Sequence, residues 1–154
     1  MADAGTGDQA GIFVGRFTHS LDPKRRLTVP SEWRLQVEPQ RGLYVLPDGQ
    51  LQCLLVMPAS RIAQRVEKIR RHSITDLKAR QFARNLASQS DLVTWDTQGR
   101  IRVKDELLDF AGLTDLVAMA GAFDFFELWN PDRLAACGGL DRGNLSAAAS
   151  SIEF

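Results

Sequence analysis

Apolar and polar positions alternate along this chain in short stretches, and one arrangement of them occurs twice. Arg26-Leu27-Thr28-Val29 has period two, which puts Leu27 and Val29 on one face and Arg26 and Thr28 on the other. It follows Asp22-Pro23-Lys24-Arg25, a turn in which Pro23 suits the first central position. About half a chain later, Ile101-Arg102-Val103 alternates in the same way after the turn Asp96-Thr97-Gln98-Gly99. In both copies an Asp opens the turn, an Arg (Arg26, Arg100) stands four residues on, and an acidic residue (Glu32, Glu106) and a short amphipathic segment follow. Each copy then runs through an apolar stretch into a proline, Pro58 or Pro131. Two copies are too few for a solenoid, so the pattern predicts an internal duplication, two half-modules packed as a pseudo-dimer.

The remaining elements fit around this repeat. Residues 12–19 have strand composition, and a short helix begins at Pro30-Ser31-Glu32 with Trp33 as its core anchor. Two strands, 43–46 and 51–57, flank the hairpin signal Pro47-Asp48-Gly49-Gln50. Ile62, Val66 and Ile69 recur at helical spacing with Arg61, Arg65 and Lys68 on the opposite side. After a break at His72-Ser73, a second helix carries the apolar stripe Ala79, Phe82, Ala83 and Leu86, and this pair of helices joins the halves. In the second half, a strand at 91–94 leads into the turn, and a helix at 104–111 ends at Gly112. Strands at 116–120 and 123–129 follow, then a helical turn near Leu134. The organisation expected is an arm (1–11), a first half (12–60), a helical connection (61–88), a second half (89–136) and a mobile tail (137–154).

Composition adds little and charge adds more. At 154 residues, 44% hydrophobic and 25% charged, the chain has room for one good core and no apolar run long enough to span a bilayer. The N-terminus has no basic-then-apolar signal pattern, and Cys53 and Cys137 lack metal-type spacing, so a reduced cytoplasmic protein is expected. The formal net charge is zero, yet residues 16–84 are strongly basic and the last third carries Asp105, Glu106, Asp109, Asp115, Asp124, Glu127 and Asp132. Such asymmetry can place a basic face on a neutral protein.

Enzyme chemistry is poorly represented. His19 and His72 have no second metal ligand at helical or hairpin spacing, there is no Gly-x-Ser-x-Gly elbow, and the glycines of residues 5–11 are wrongly spaced for a phosphate loop. Asp22 and Asp96 form a paired-carboxylate site only if they share an enclosed cleft; otherwise each accepts backbone N–H bonds within its own turn. No metal, cofactor or catalytic residue is expected. The arginines say more. Arg suits bidentate contact to guanine and to phosphate oxygens, and a two-stranded ribbon can enter the major groove. Arg26 reads equally well as a DNA contact or as a lock paired to a turn Asp. For Arg100, whose neighbours Thr97, Gln98 and Gly99 are uncharged, the locking role is favoured.

The Asp-x-x-x-Arg turns, Cys53-Leu54-Leu55-Val56-Met57-Pro58, Ala79-Arg80-Gln81-Phe82-Ala83-Arg84 and Phe126-Glu127-Leu128-Trp129 resemble the MraZ family of the AbrB/SpoVT-AbrB superfamily, from about Phe13 to Leu134. The resemblance implies an α+β, β-dominated fold: two tandem AbrB-like swapped-hairpin halves forming a pseudo-dimeric β-barrel with flanking helices. It implies a bacterial regulator of the division and cell-wall gene cluster, its own gene included. Such a protein is cytoplasmic and nucleoid-associated, binds repeated promoter boxes on double-stranded DNA, and assembles into a homo-oligomeric ring. DNA contacts then fall to Lys24 and Arg26 and, in the second turn, to Arg100, and the basic segment adds Arg25 and Arg16. One departure stands out: the family has Gly before the first-turn Arg, here Arg25, whereas Gly99 is kept in the second turn. The rival reading is an antitoxin-like assembly module without DNA affinity, working through its acidic last third and Phe123-Asp124-Phe125-Phe126. A carboxylate hydrolase built on Asp22 and Asp96 is the third.

Overall fold

The computed structural model describes residues 12–38, 42–73 and 75–152. The arm expected at 1–11 lies outside them. In chain order the elements are β1 (Arg16–Ser20), β2 (Arg26–Thr28), α1 (Ser31–Arg34), β3 (Leu43–Pro47), β4 (Leu54–Pro58), α2 (Ala59–Ser73) and α3 (Leu77–Gln89). The second half adds β5 (Asp91–Val93), β6 (Arg100–Arg102), α4 (Asp105–Ala111), β7 (Leu116–Gly121), β8 (Phe126–Trp129), α5 (Pro131–Ala136) and α6 (Gly143–Ser151).

Six strands form an antiparallel sheet in the order β1-β7-β8-β4-β3-β5, and β2 and β6 pair by themselves. Exchanging each strand for its repeat counterpart (β1 with β5, β3 with β7, β4 with β8) reverses that order and leaves it unchanged. The duplication is therefore a pseudo-two-fold axis in space. β1 of the first half pairs with β7 of the second, and β5 of the second with β3 of the first. The axis passes between β4 and β8, where Leu55 faces Glu127, and between β2 and β6, where Leu27 faces Ile101. The fold is α+β and dominated by its antiparallel sheet. The expected barrel is not closed: β1 and β5 are the two edges of the sheet and do not pair with each other. The chain leaves the sheet at each Asp turn, and the three-residue strands β2 and β6 become a separate ribbon instead of edge-closing strands.

The core includes residues from the large sheet, the ribbon and the short helices. Leu27, Val29, Ile101 and Val103 are buried from the ribbon side, Val45, Val56, Val117, Phe126 and Leu128 from the sheet, and Leu107 and Leu108 from α4. Trp33 on α1 sits among aromatic rings, edge-on to Phe13 (5.9 Å) and Phe17 (5.0 Å) and tilted on Phe126 (4.5 Å), while its Nε1 donates to the Val14 carbonyl at 2.8 Å. A large apolar side chain fully buried in this way contributes about 1.5–3 kcal/mol.

Three strands begin three or four residues later than the sequence pattern, each for a local reason. The strand expected from residue 12 begins at Arg16, because Gly15 takes a left-handed φ of 93° and leaves Phe13 as a single bridge to Phe123. The strand expected from 51 begins at Leu54, since Asp48 Oδ1 holds the N–H groups of Gln50 and Leu51 in a wider loop. The strand expected from 123 begins at Phe126, because Phe123 is itself left-handed at φ 68°. Within the stretch expected to be a mobile tail, α6 forms an Ala-rich helix with no buried residue, as the high helix propensity of Ala allows.

Candidate nucleic-acid interface

The two Asp turns are built alike down to individual atoms. In the first, Asp22 Oδ1 accepts the N–H groups of Lys24 (2.9 Å) and Arg26 (2.7 Å), while Oδ2 accepts Arg26 Nε at 2.7 Å. In the second, Asp96 Oδ1 accepts the N–H groups of Gln98 (2.8 Å) and Arg100 (3.0 Å), and Oδ2 accepts Arg100 Nε at 2.9 Å. The backbone closes each turn identically, Asp22 N–H to Arg26 O and Asp96 N–H to Arg100 O. The spacing in Asp-x-x-x-Arg thus has a physical cause: the carboxylate needs its acceptor edge over the turn and a guanidinium on its other oxygen, and only the fourth residue on supplies both.

The turns also meet across the pseudo-axis. Arg26 Nη1 lies 3.9 Å from Asp96 Oδ2, and Arg100 Nη1 lies 3.7 Å from Asp22 Oδ2. All four side chains are partly buried. The Arg26 main-chain N–H is the largest of the effects that hold the Asp22 carboxyl below its ordinary range, and the Arg100 N–H acts likewise on Asp96, which titrates at about 2. Carboxylates this acidic carry no proton at neutral pH and cannot serve as a general acid. Asp22 and Asp96 are the core of a turn lock, and the hydrolase reading loses its proton donor.

Arg25 and Gly99 precede the two arginines. Both are left-handed, at φ 61° and 78°. Gly99 is buried beneath the guanidinium of Arg34, whose atoms lie 2.6–2.9 Å from where a Cβ would stand. Arg25 sends its own guanidinium to the opposite half: Nη1 to Asp105 Oδ1 at 2.7 Å, Nη2 to Asp109 Oδ1 at 3.6 Å and to the Leu113 carbonyl at 3.4 Å. Arg25 thus fastens the first turn to α4 of the other half, while Arg34 of α1, bonded through Nε to the Val29 carbonyl at 3.0 Å, packs its guanidinium over the second turn at Gly99.

The register of the ribbon decides which side chains face outward. Leu27 and Ile101 point into the core, so Arg26 opposite Arg102 and Thr28 opposite Arg100 make up the other face. Arg102 was not among the candidates read from the sequence, although the alternation Ile101-Arg102-Val103 carries the signal. It donates to its neighbour Val103 O and to Asp105 Oδ1 (2.8 Å), and this second bond is the main cause of the lowered pKa of Asp105. Lys24 is exposed at the tip of the first turn, with no carboxylate in ion-pair range among the described residues. Arg16 is exposed on the edge strand β1, opposite Ala120. The structure thus puts Arg26, Arg100 and Arg102 on one face of the ribbon, leaves Lys24 exposed in the first turn, ties Arg25 to α4, and leaves Arg16 on the sheet edge.

Two other features were not legible in sequence. Asp48 and Cys53 of the β3–β4 loop and Glu127 of β8 bring donor atoms within 4.8 Å of one another; Cys53 Sγ donates to Asp48 Oδ2 at 3.8 Å, and burial pushes its thiol pKa up. The run Phe123-Asp124-Phe125-Phe126 does not form a surface stripe, since Phe126 is fully buried and Arg65 lies over the Phe125 ring at 5.1 Å.

Fold and turns together define a tandem-repeat protein of swapped-hairpin type, whose twin Asp-x-x-x-Arg turns meet on its pseudo-two-fold axis. Residues 12–85 match the family described as "MraZ protein, putative antitoxin-like". The chain is 38% identical over 125 residues to the transcriptional regulator MraZ of Thermomicrobium roseum, covering 81% of this chain and 86% of that one. It is 40% identical over 124 residues to that of Corynebacterium jeikeium (80% and 85%), and 36% identical over 141 residues to that of Corynebacterium glutamicum (92% and 96%). The chain belongs to the MraZ family. These relatives bear the name of transcriptional regulators, which is not an enzyme class.

Proposed function

We propose that the protein is a transcriptional regulator that binds duplex DNA through the face made by its two turns and the β2–β6 ribbon. The observation that carries this reading is the ribbon register, which puts Arg26, Arg100 and Arg102 on one outward face beside the exposed Lys24. A two-stranded ribbon fits the major groove, and arginine there reads guanine or grips phosphate. The carboxylates of Asp22, Asp96 and Asp105 hold three guanidinium groups in fixed orientations, which lowers the entropy lost on docking. In this reading Arg26 takes both roles that its sequence position left open: Nε locks the turn, and the guanidinium, which also faces Asp96 at 3.9 Å, keeps enough exposure to reach DNA. Arg25 is a fastener, and Arg16 is a peripheral phosphate contact at most.

A single such face is small, and nearly all its cations already have carboxylate partners. Affinity therefore comes from repetition: a homo-oligomeric ring seating several copies on repeated promoter boxes adds weak contacts through effective concentration. The location that goes with this is the cytoplasm and nucleoid; no helix among the described residues is long and apolar enough to cross a membrane. Genomic footprinting of the tagged protein tests the reading, with occupancy expected upstream of its own gene and the adjoining division and cell-wall genes. A protein that recovers no DNA but carries a stoichiometric protein partner belongs instead to the antitoxin-like alternative.

A further inference from the structure

Arg25 and Arg102 come from opposite halves and meet on one atom. Asp105 Oδ1 accepts Arg25 Nη1 at 2.7 Å and Arg102 Nη2 at 2.8 Å. A second carboxylate of α4, Asp109, lies 3.6 Å from Arg25 Nη2. Two guanidinium groups and two carboxylates thus form a neutral cluster at the end of the ribbon, where Arg102 stands opposite Arg26 in register. Glu106, the remaining acid of α4, is in none of these pairs.

The internal repeat marks the cluster as one unit. Aligning Asp22 with Asp96 sets Arg25 against Gly99, Arg102 against Thr28, Asp105 against Ser31 and Asp109 against Leu35. Every charge of the cluster is matched by an uncharged residue in the other copy. Glu106, which takes no part, keeps an acidic counterpart in Glu32. The charges are present together on one side of the pseudo-axis and absent together on the other. Arg25 therefore goes with the acids of α4 and not with its own turn, whose backbone closes equally well over Gly99: Arg25 N–H reaches Asp22 O at 2.8 Å and Gly99 N–H reaches Asp96 O at 3.0 Å.

Position makes these acids matter. The side chains of Asp105 and Asp109 are 58% and 75% exposed, so neither charge is hidden by protein. Duplex DNA carries one negative charge for about every 1.7 Å of its axis, and like charge brought beside it costs affinity and slows encounter. Arg102 alone cannot neutralise two carboxylates and also take a phosphate. Arg25 supplies the second cation while its own guanidinium stays on α4.

We infer that Arg25 is a positioning residue for DNA binding that acts through Asp105: it neutralises the acids of α4, so that Arg102 meets a phosphate with no bare carboxylate beside it. This part for Arg25 rests on the duplex-binding reading proposed above, and gives a role in binding to a residue that makes no DNA contact of its own.

The test is fluorescence anisotropy with a labelled duplex from upstream of the protein's own gene, at low and at high salt. Arg25→Gly is expected to weaken binding roughly two- to fivefold at low salt, the worth of an exposed charge pair, and by less at high salt. Asp105→Asn/Asp109→Asn is expected to bind at least as tightly as the unaltered chain, and adding Arg25→Gly to it is expected to change nothing further. If the double Asn variant instead binds as weakly as Arg25→Gly, Arg25 is only a structural fastening. If Arg25→Gly costs the same with and without the acids, Arg25 touches phosphate itself. Either result overturns the inference, as does full affinity in Arg25→Gly; circular dichroism checks that each variant is folded. An unaltered chain that binds no duplex is a separate result, which brings down the DNA reading and this role for Arg25 with it.

Discussion

Arg25 and Gly99 occupy the same place in the two turns and share a left-handed backbone, φ 61° and 78°, although one is the bulkiest cation and the other has no side chain. The strain of an L-residue there is about 1–2 kcal/mol. Arg25 has a use for its side chain, which reaches Asp105 and Asp109, whereas a side chain at Gly99 would collide with Arg34. Arg25→Gly should therefore change stability by no more than about 1 kcal/mol, relief of strain being offset by the greater backbone entropy of Gly. Gly99→Arg should destabilise clearly, adding the same strain and displacing the Arg34 guanidinium. Urea unfolding of both variants checks this; a larger loss for Arg25→Gly would contradict the account of the turns.

Acid should weaken the protein through these same turns. Asp22, Asp96 and Asp105 all have folded pKa values below the ordinary value, so their stabilisation is complete above about pH 4 and is lost as pH falls through the folded values. For Asp96 the loss falls between the ordinary carboxylate value of 3.8 and the folded value of about 2. Thermal melts between pH 7 and pH 2 should show a steep fall below pH 4, shallower in Asp96→Asn. An unchanged acid limb in that variant would show that the turn lock does not matter to stability.

Salt dependence separates positioning from reading at the proposed interface. Lys24→Ala should reduce the slope of log affinity against log salt by about 1 and weaken binding alike for all sequences, as one lost phosphate contact does. Arg26→Ala should cut binding much further and also loosen the turn, because Asp22 Oδ2 loses its Nε partner. Arg26→Lys should restore charge without the fork and recover little. Gel shifts at several salt concentrations distinguish these outcomes; full recovery by lysine would reduce Arg26 to a simple charge.

Trp33→Ala should cost about 3–5 kcal/mol, the usual range for a buried aromatic ring replaced by a methyl group. The ring contacts Phe13, Phe17 and Phe126, so the first strand, the bridge before it and the central sheet all lose packing. Chemical unfolding measures it, and a loss under 1 kcal/mol would show that the aromatic cluster is not the keystone described.

Much of this was legible in the sequence wherever a local period carries the information. The alternation at Leu27 and Val29 implied the buried face of the ribbon, and Gly112 marked the end of α4, where it adopts φ 67°. The equivalence of Asp22 with Asp96 and of Arg26 with Arg100 could be read directly from the repeat. Long-range pairing could not. Nothing near Arg25 announces Asp105, and nothing near Gly99 announces Arg34, because these contacts join stretches far apart in sequence. Cross-half strand exchange followed from family resemblance alone, since a strand's periodicity is silent about its neighbour. The barrel was overread for a similar reason: whether two edge strands meet is a property of the whole sheet.

The palindromic order of the large sheet bears on how the molecule is made. β1 has one neighbour, β7, and that strand leaves the ribosome about 100 residues later, roughly 5–20 seconds at ordinary elongation rates. Throughout that interval the emerging polypeptide exposes a strand with nothing to bond to. Closure is therefore a late, all-or-none event of high contact order, and the nascent first half is the form of this protein most open to mispairing with another copy.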